Sequence, residues 1–297
     1  MKIGYPCINK TIGCTSNSTF RLKNYSEDNF IAKVNNNLEC LSKIIDYNIK
    51  NKILFFRLSS DIIPFASHSV CKFNWQSHFK KKMQKIGDVI KENNIRISMH
   101  PDQFVLLNAL NNEIVDRSIK ELDYHCSLLD SMGLNSTAKV QIHIGGVYGD
   151  KLSAMKRFMD VYNKLPFKIK KRLAIENDHK LYSLKDCMLI NKKTQIPVIF
   201  DSFHHECLNN KEPLNKAIIL ASSTWKNKDG ILMMDYSSQK KDARHGSHSE
   251  SLNLNHFKNF LMQAKGLNFD LMLEIKDKER SALKAMKIIN EFNMNKI

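Results

Sequence analysis

The chain has 297 residues, 42% of them hydrophobic, with a formal net charge of +16. That length is about twice a common domain yet usual for an α/β barrel, and the apolar fraction is enough for one large core. No apolar stretch approaches the roughly 18 residues of a membrane helix, and Met1–Pro6 lacks a signal-peptide apolar segment, so membrane and secretory classes are set aside.

In chain order, short apolar runs alternate with segments of helical spacing. Lys2–Tyr5 reads as a strand, and a polar loop from Asn9 to Asn24 follows. A helix near 27–50 carries Phe30, Val34, Leu38, Leu41, Ile44 and Ile45 at three- and four-residue spacing. Ile53–Leu58 is the second strand and Gln76–Asn93 the next helix. A third strand ends at His100, before a helix near 112–133 that stops at Gly133. The fourth ends at His143, before Gly145-Gly146 and a helix near 151–164 closed by Pro166. A fifth ends at Glu176, with a shorter helix from Ser183, and a sixth at Asp201, with a helix near 212–224. The seventh ends at Asp235; a long polar loop and a helix over 253–265 follow. The eighth ends at Glu274, with a closing helix from about 278 to 293.

Eight strand–helix units imply right-handed crossovers and a parallel sheet, which closes into a (β/α)8 TIM barrel forming a single domain over 1–297. An open doubly wound sheet is the structural rival. Neither G-x-G-x-x-G nor G-x-x-x-x-G-K-[ST] occurs, so nothing points to a dinucleotide or P-loop site.

Six of the strand-like runs end on an imidazole or a carboxylate: His100, His143, Glu176, Asp201, Asp235 and Glu274. Parallel strands deliver their last residues to one face, where barrel chemistry sits. With His204 and His248 they form a candidate ligand set of nitrogen and oxygen donors without thiolate. Such a set suits Mn2+ best, with Zn2+ or Mg2+ as alternatives. Eight donors exceed the needs of one ion, so two or three divalent ions are expected. Ions about 3.5–4 Å apart clamp both oxygens of an in-line phosphoryl displacement. Asp201 and His204 stand at i, i+3, and spacing alone does not choose between His204 and His205. The bland reading is a ring of strand-end salt bridges.

His100-Pro-Asp-Gln103-Phe104 puts an amide beside an aromatic ring on the rim, a pair that can wedge into a base stack. Tyr5 is expected as a second stacking group, and the polar loop from Asn9 as a ligand contact. The long loop Ser237–His248 is basic and flexible, with Lys240, Lys241 and Arg244 placed for phosphates. The net charge fits a polyanionic partner, although 38 lysines against 8 arginines also fit an A·T-rich genome. Seven cysteines, without a Cys-x-x-Cys pair, argue against a disulfide framework and for reduced thiols in the cytoplasm.

These motifs in this order resemble the UV damage endonuclease family: Gly4-Tyr-Pro-Cys-Ile-Asn9, Ser59–His68, His100-Pro-Asp-Gln-Phe104, Ile142-His-Ile-Gly-Gly146, Ile175-Glu-Asn-Asp178, Asp201-Ser-Phe-His-His205, Tyr236-Ser-Ser-Gln239, Gly246-Ser-His248 and Leu273–Lys278. The resemblance implies a metal-dependent TIM-barrel endonuclease. Its members nick damaged double-stranded DNA on the 5′ side of cyclobutane dimers, 6-4 products and some abasic sites. It maps the metal cluster, usually of Mn2+, onto His100, His143, Glu176, Asp201, His204, His248 and Glu274, and the lesion probe onto Gln103 and Phe104 assisted by Tyr5. It also places His68 near the scissile phosphate. His68, Glu176 and Glu274 are therefore the expected catalytic groups, in a monomer associated with the nucleoid.

One segment departs from that family. At strand seven, relatives often carry Lys-x-His, whereas this chain reads Met233-Met-Asp235; Asp235 can replace a histidine ligand, but Met233 excludes a carboxylated lysine. The rival readings are an abasic-site endonuclease with three zinc ions, a metal-dependent sugar isomerase or epimerase, and a lesion-binding protein without chemistry.

Overall fold

The computed structural model describes residues 1–294. Eight parallel strands close into a barrel in sequence order. They are β1 (Ile3–Pro6), β2 (Phe55–Leu58), β3 (Arg96–Met99), β4 (Lys139–His143), β5 (Leu173–Glu176), β6 (Val198–Asp201), β7 (Leu232–Tyr236) and β8 (Phe269–Leu273). Strand β8 pairs with β1 through Ile3 opposite Leu271 and Gly4 opposite Met272, which removes every sheet edge. The predicted TIM barrel is therefore the observed fold.

The surrounding helices start where local chemistry tells them to. Ser26 accepts from the Asn29 amide at the head of Glu27–Lys50, and Asp150 does the same for Ser153 at the head of Lys151–Lys164. Ser183 and Asp186 form a reciprocal capping box that opens Leu184–Thr194. The stripe Phe30, Val34, Leu38, Leu41, Ile44 and Ile45 is wholly buried against the barrel; each such side chain contributes about 1.5–3 kcal/mol of hydrophobic stabilisation.

Three differences from the sequence reading have physical causes. The helix expected over 76–93 is two, Trp75–His78 and Lys80–Glu92, because the chain turns at Phe79. That break lets Trp75 stack edge-on against Tyr124 at 5.9 Å. Strand β7 runs one residue beyond Asp235, whose neighbour Tyr236 lies opposite Leu273. Finally, Cys14 and Cys40 are joined in a disulfide across a sequence separation of 26, contrary to the expected set of free thiols. The first loop folds back over the helix Glu27–Lys50, so two cysteines without any local spacing signature meet.

Strand alternation stacks the barrel interior in layers. Phe55, Ala174, Ile199, Met233 and Met272 form an apolar plug inside the barrel. Two residues further along the same five strands stand Arg57, Glu176, Asp201, Asp235 and Glu274. The plug thus lies directly beneath the polar mouth. It also locates Met233, a buried plug residue below the layer of candidate ligands.

Candidate metal centre

Glu176 is the centre of the mouth. His100 Nε2 lies 3.2 Å and His143 Nε2 3.8 Å from its Oε2, and His204 Nδ1 lies 3.1 Å from its Oε1. His204 Nδ1 is also 3.5 Å from Asp201 Oδ2. Two groups of three, His100/His143/Glu176 and Glu176/Asp201/His204, each bring their donor atoms within 4.8 Å of one another, and they share Glu176.

Local structure aims these groups. The short helix Ser202–Cys207 begins at once after β6, capped by Asp201, which accepts from the His204 amide at 2.7 Å. That turn carries His204 inward. His205 instead meets Phe200 edge-on at 5.2 Å and contacts the Glu212 carbonyl at 3.0 Å through Nε2. The structure thereby selects between two histidines that spacing left equivalent. His100 Nδ1 sits 2.9 Å from the Pro101 carbonyl, and His248 Nδ1 sits 2.9 Å from the Glu274 carbonyl. A carbonyl can only accept, so both Nδ1 atoms carry a proton, which leaves Nε2 as the ring atom available to a metal. This is the arrangement that orients imidazole ligands.

Electrostatics show the same site from another side. Burial opposes a charge on His204, but Asp201 and Glu176 outweigh it and lift its pKa to about 11. Burial also opposes ionisation of Glu176, yet His143, His100 and His204 hold it well below the usual carboxylate range. Burial raises Asp201 to about 6. Three buried atoms in this cluster, His143 Nδ1, Glu176 Oε1 and Asp201 Oδ2, make no well-formed hydrogen bond, and the two oxygens meet only the His204 ring. Buried acceptors left orphaned are costly. A divalent cation is what satisfies clustered carboxylate oxygens beside imidazole, so the residues present fit such an ion.

The remaining predicted ligands are placed differently. His248 stands beside the cluster, its ring 5.9 Å from that of His204 and its Nδ1 3.8 Å from Glu274 Oε2. Glu274 offers one oxygen there while the other is bound by the Arg57 guanidinium, which holds its pKa near about 2 against the cost of burial. Asp235, expected as a metal ligand, is engaged by a cation in this structure: Arg57 Nη2 grips both its oxygens at 2.8 Å. Gln141 Nε2 donates to Asp235 Oδ2 and to Glu176 Oε2, each at 2.5 Å. Sequence reasoning missed Arg57, Gln141 and His179. A lone arginine inside the apolar run Ile53–Leu58 was the available signal, since a buried guanidinium demands carboxylates. His179 carries its ring to 5.4 Å from that of His204.

On the rim, Gln103 and Phe104 project as expected, Phe104 with 72% of its surface exposed. Gln103 overhangs a cleft of about 300 Å3 whose walls include His100, His143 and His179. Phe104 borders a larger groove of about 740 Å3 shared with His68, Arg117 and Lys120. His68 is exposed, accepts the Val70 amide through Nδ1 at 3.0 Å, and lies outside the ligand cluster.

Two expected nucleic-acid contacts are not on the surface. Tyr5 is fully buried: on β1 it faces outward to the helix layer, where its hydroxyl donates to Asn48 Oδ1 at 2.7 Å. Asn9 is buried too, donating to the Tyr5 hydroxyl at 2.8 Å and accepting from the Thr11 amide, also at 2.8 Å. Both tie the first loop to the barrel. The basic loop is also more fixed than expected. Gln239 donates to the Lys240 and Arg244 carbonyls at 3.0 Å and accepts from the Gly246 amide at 2.9 Å. Lys240 is paired with Glu250 at 2.5 Å, while Lys241 and Arg244 project exposed.

The UV-endonuclease UvdE family matches this sequence over residues 1–297. The chain belongs to that family. Membership places it among DNA repair endonucleases. A UV DNA damage endonuclease of Clostridium perfringens (strain 13 / Type A) is 42% identical over 295 residues, covering 99% of this chain and 72% of its own. Another from Bacillus thuringiensis subsp. konkukian (strain 97-27) is 37% identical over 276 residues, covering 92% and 87%. The crystal structure of SacUVDE superposes with a TM-score of 0.95 at 46% identity, over 99% of both chains. More distant barrels share the fold alone: endonuclease IV of Thermus thermophilus at a TM-score of 0.59 and 10% identity, covering 86% of this chain and 94% of its own, and a D-tagatose 3-epimerase-like protein at 0.60 and 12%, covering 99% and 97%. Among the described residues, no helix is long and apolar enough to cross a membrane.

Proposed function

We propose that the protein nicks damaged double-stranded DNA immediately 5′ to UV photoproducts, cyclobutane dimers and 6-4 products, with abasic sites as secondary substrates. It acts as a divalent-metal hydrolase, with Mn2+ the preferred ion over Zn2+ or Mg2+. The observation that carries this reading is the pair of donor triads at the mouth of the barrel, His100/His143/Glu176 and Glu176/Asp201/His204, whose buried Glu176 Oε1 and Asp201 Oδ2 make no hydrogen bond and meet only the His204 ring. His100, His143, Glu176, Asp201 and His204, with His248 and Glu274 beside them, would hold the ions. Bound there, divalent ions supply Lewis-acid polarisation of a phosphodiester and ready ionisation of an attacking water.

The chain's own residues supply the rest. Glu176 and Glu274 fix the negative charge of the floor, and their partners keep both ionised across the neutral range. Phe104 and Gln103 enter the base stack at the lesion, where lost stacking makes distortion cheapest. Lys241 and Arg244, with Lys240 once it leaves Glu250, meet the phosphate backbone. His68, which lines the groove that Phe104 borders, would meet a phosphate there. In this reading the protein acts as a monomer on nucleoid DNA.

The test is nicking of supercoiled plasmid, irradiated or not, with Mn2+ or with chelator. Mn2+-dependent relaxation of the irradiated plasmid, with ends mapping 5′ to dimers, is expected. Turnover of ketohexoses instead of DNA would favour the epimerase reading, and binding without a nick would favour a chemically silent lesion binder.

A further inference from the structure

The acidic floor of the mouth is unevenly committed. Glu176 and Asp201 each keep an oxygen that makes no hydrogen bond and faces only the His204 imidazole, a group a metal can share, whereas both oxygens of Asp235 are taken by Arg57, itself 3% exposed. The same guanidinium holds one oxygen of Glu274 through Nη1 and donates to Gln141 Oε1 at 3.0 Å. Gln141 then passes the linkage on, its amide joining Asp235 to Glu176 at 2.5 Å on each side. One side of the floor is therefore closed by a covalently attached cation, and the other side is open.

We propose that Asp235 is not a metal ligand and that Arg57 is a built-in cation that limits the site to two divalent ions. This rests on the metal-dependent reading above. Charge supports it: four carboxylates, Glu176, Asp201, Asp235 and Glu274, with one guanidinium leave three negative charges. Two divalent ions bring the set to one net positive charge, which one phosphodiester neutralises. A third ion would leave three positive charges in a floor shielded from water, where repulsion is strong. Displacing Arg57 to free Asp235 would strand a buried guanidinium, which is more costly than leaving the pair intact. Arg57 is thus a positioning residue: it sets Glu274 directly and Glu176 through Gln141.

The experiment is metal analysis of the full chain after equilibrium dialysis against MnCl2, on wild type, Asp235→Asn and Arg57→Gln/Asp235→Asn. Two Mn2+ per chain are expected in all three, with Asp235→Asn binding within about threefold of wild-type affinity. The double variant keeps the test valid if the single one fails to fold. Three ions in wild type, or loss of one ion on removing the Asp235 carboxylate, would overturn the proposal. A second readout is the rise in Tm on adding Mn2+. It should be larger in Arg57→Gln than in wild type, because the metal then replaces the lost cation; an equal rise would contradict the role given to Arg57. Plasmid nicking separates the two readings. Two ions with no nick would leave this inference standing and remove the endonuclease mechanism, while a nicking enzyme with three ions would do the reverse.

Discussion

The two ends of the barrel treat charge in opposite ways. At the bottom, Arg96 pairs with Asp270 at 3.2 Å and donates to the Asp229 and Ile231 carbonyls at 3.0 Å, and Lys139 meets Asp229 at 2.5 Å. Trp225 lies under both cations, at 5.6 and 6.0 Å from its ring. Each bottom cation has its own carboxylate. At the top, four carboxylates share one guanidinium and a ring of histidines, and oxygens are left over. Balanced ion pairs serve the fold; surplus acceptors are held for something that arrives later. A barrel whose C-terminal face carries chemistry and whose other face carries stability shows this asymmetry.

That contrast can be broken from either end. The largest expected effect on activity is Glu176→Gln, which removes the carboxylate shared by both ligand triads. Mn2+-dependent nicking should fall by at least about 10³-fold, while a gel-shift assay still detects binding to irradiated duplex. Full activity would take Glu176 out of the metal site. The largest expected effect on stability lies at the bottom. Asp270→Ala leaves Arg96 buried and short of its partner, at a cost of about 3–5 kcal/mol in chemical denaturation, with Mn2+ stoichiometry unchanged.

Proton linkage sharpens the comparison. His204, lifted from 6.5 to about 11, stabilises the metal-free fold below its ordinary value, and that contribution fades as pH rises through about 11. Glu274, lowered from 4.5 to about 2, contributes above its ordinary value and loses that contribution as pH falls through about 2. A metal entering at pH 7–8 must displace the His204 proton. Mn2+ added to weakly buffered protein should release about one proton per chain, and affinity should weaken as pH falls. An unchanged pH on saturation would mean that His204 keeps its proton and is no ligand.

Rim effects are smaller. Gln103→Ala should reduce the preference for irradiated over intact duplex by roughly tenfold, about 1.4 kcal/mol, in competition binding. Equal losses on both duplexes would remove Gln103 from lesion probing. Lys241→Ala should weaken all duplex binding alike and lower the salt-dependence slope by about one.

Much of this was legible in the sequence because parallel strands write their apolar runs continuously and end them on polar residues. His100, His143, Glu176 and Asp201 were visible in that way, and the structure gathers all four. What stayed hidden depends on direction and long-range approach. Tyr5 sits one residue from Gly4 on a strand whose faces alternate, so its turn toward Asn48 was not written in its neighbourhood. Asp235 looks like its fellow strand ends until Arg57, from a strand 178 residues away in sequence, is seen to hold it. Cys14 and Cys40 meet only because the first loop folds over the following helix, bringing their Cα atoms to 5.9 Å.

The central claim is that the top of the barrel is built for divalent cations and the bottom for the fold. Isothermal titration of Mn2+ into wild type, Glu176→Gln and Asp270→Asn, with Tm measured on the same samples, tests it most directly. Glu176→Gln should lose Mn2+ binding and keep a near wild-type metal-free Tm; Asp270→Asn should keep Mn2+ binding and melt lower. Undiminished Mn2+ binding by Glu176→Gln would contradict the account.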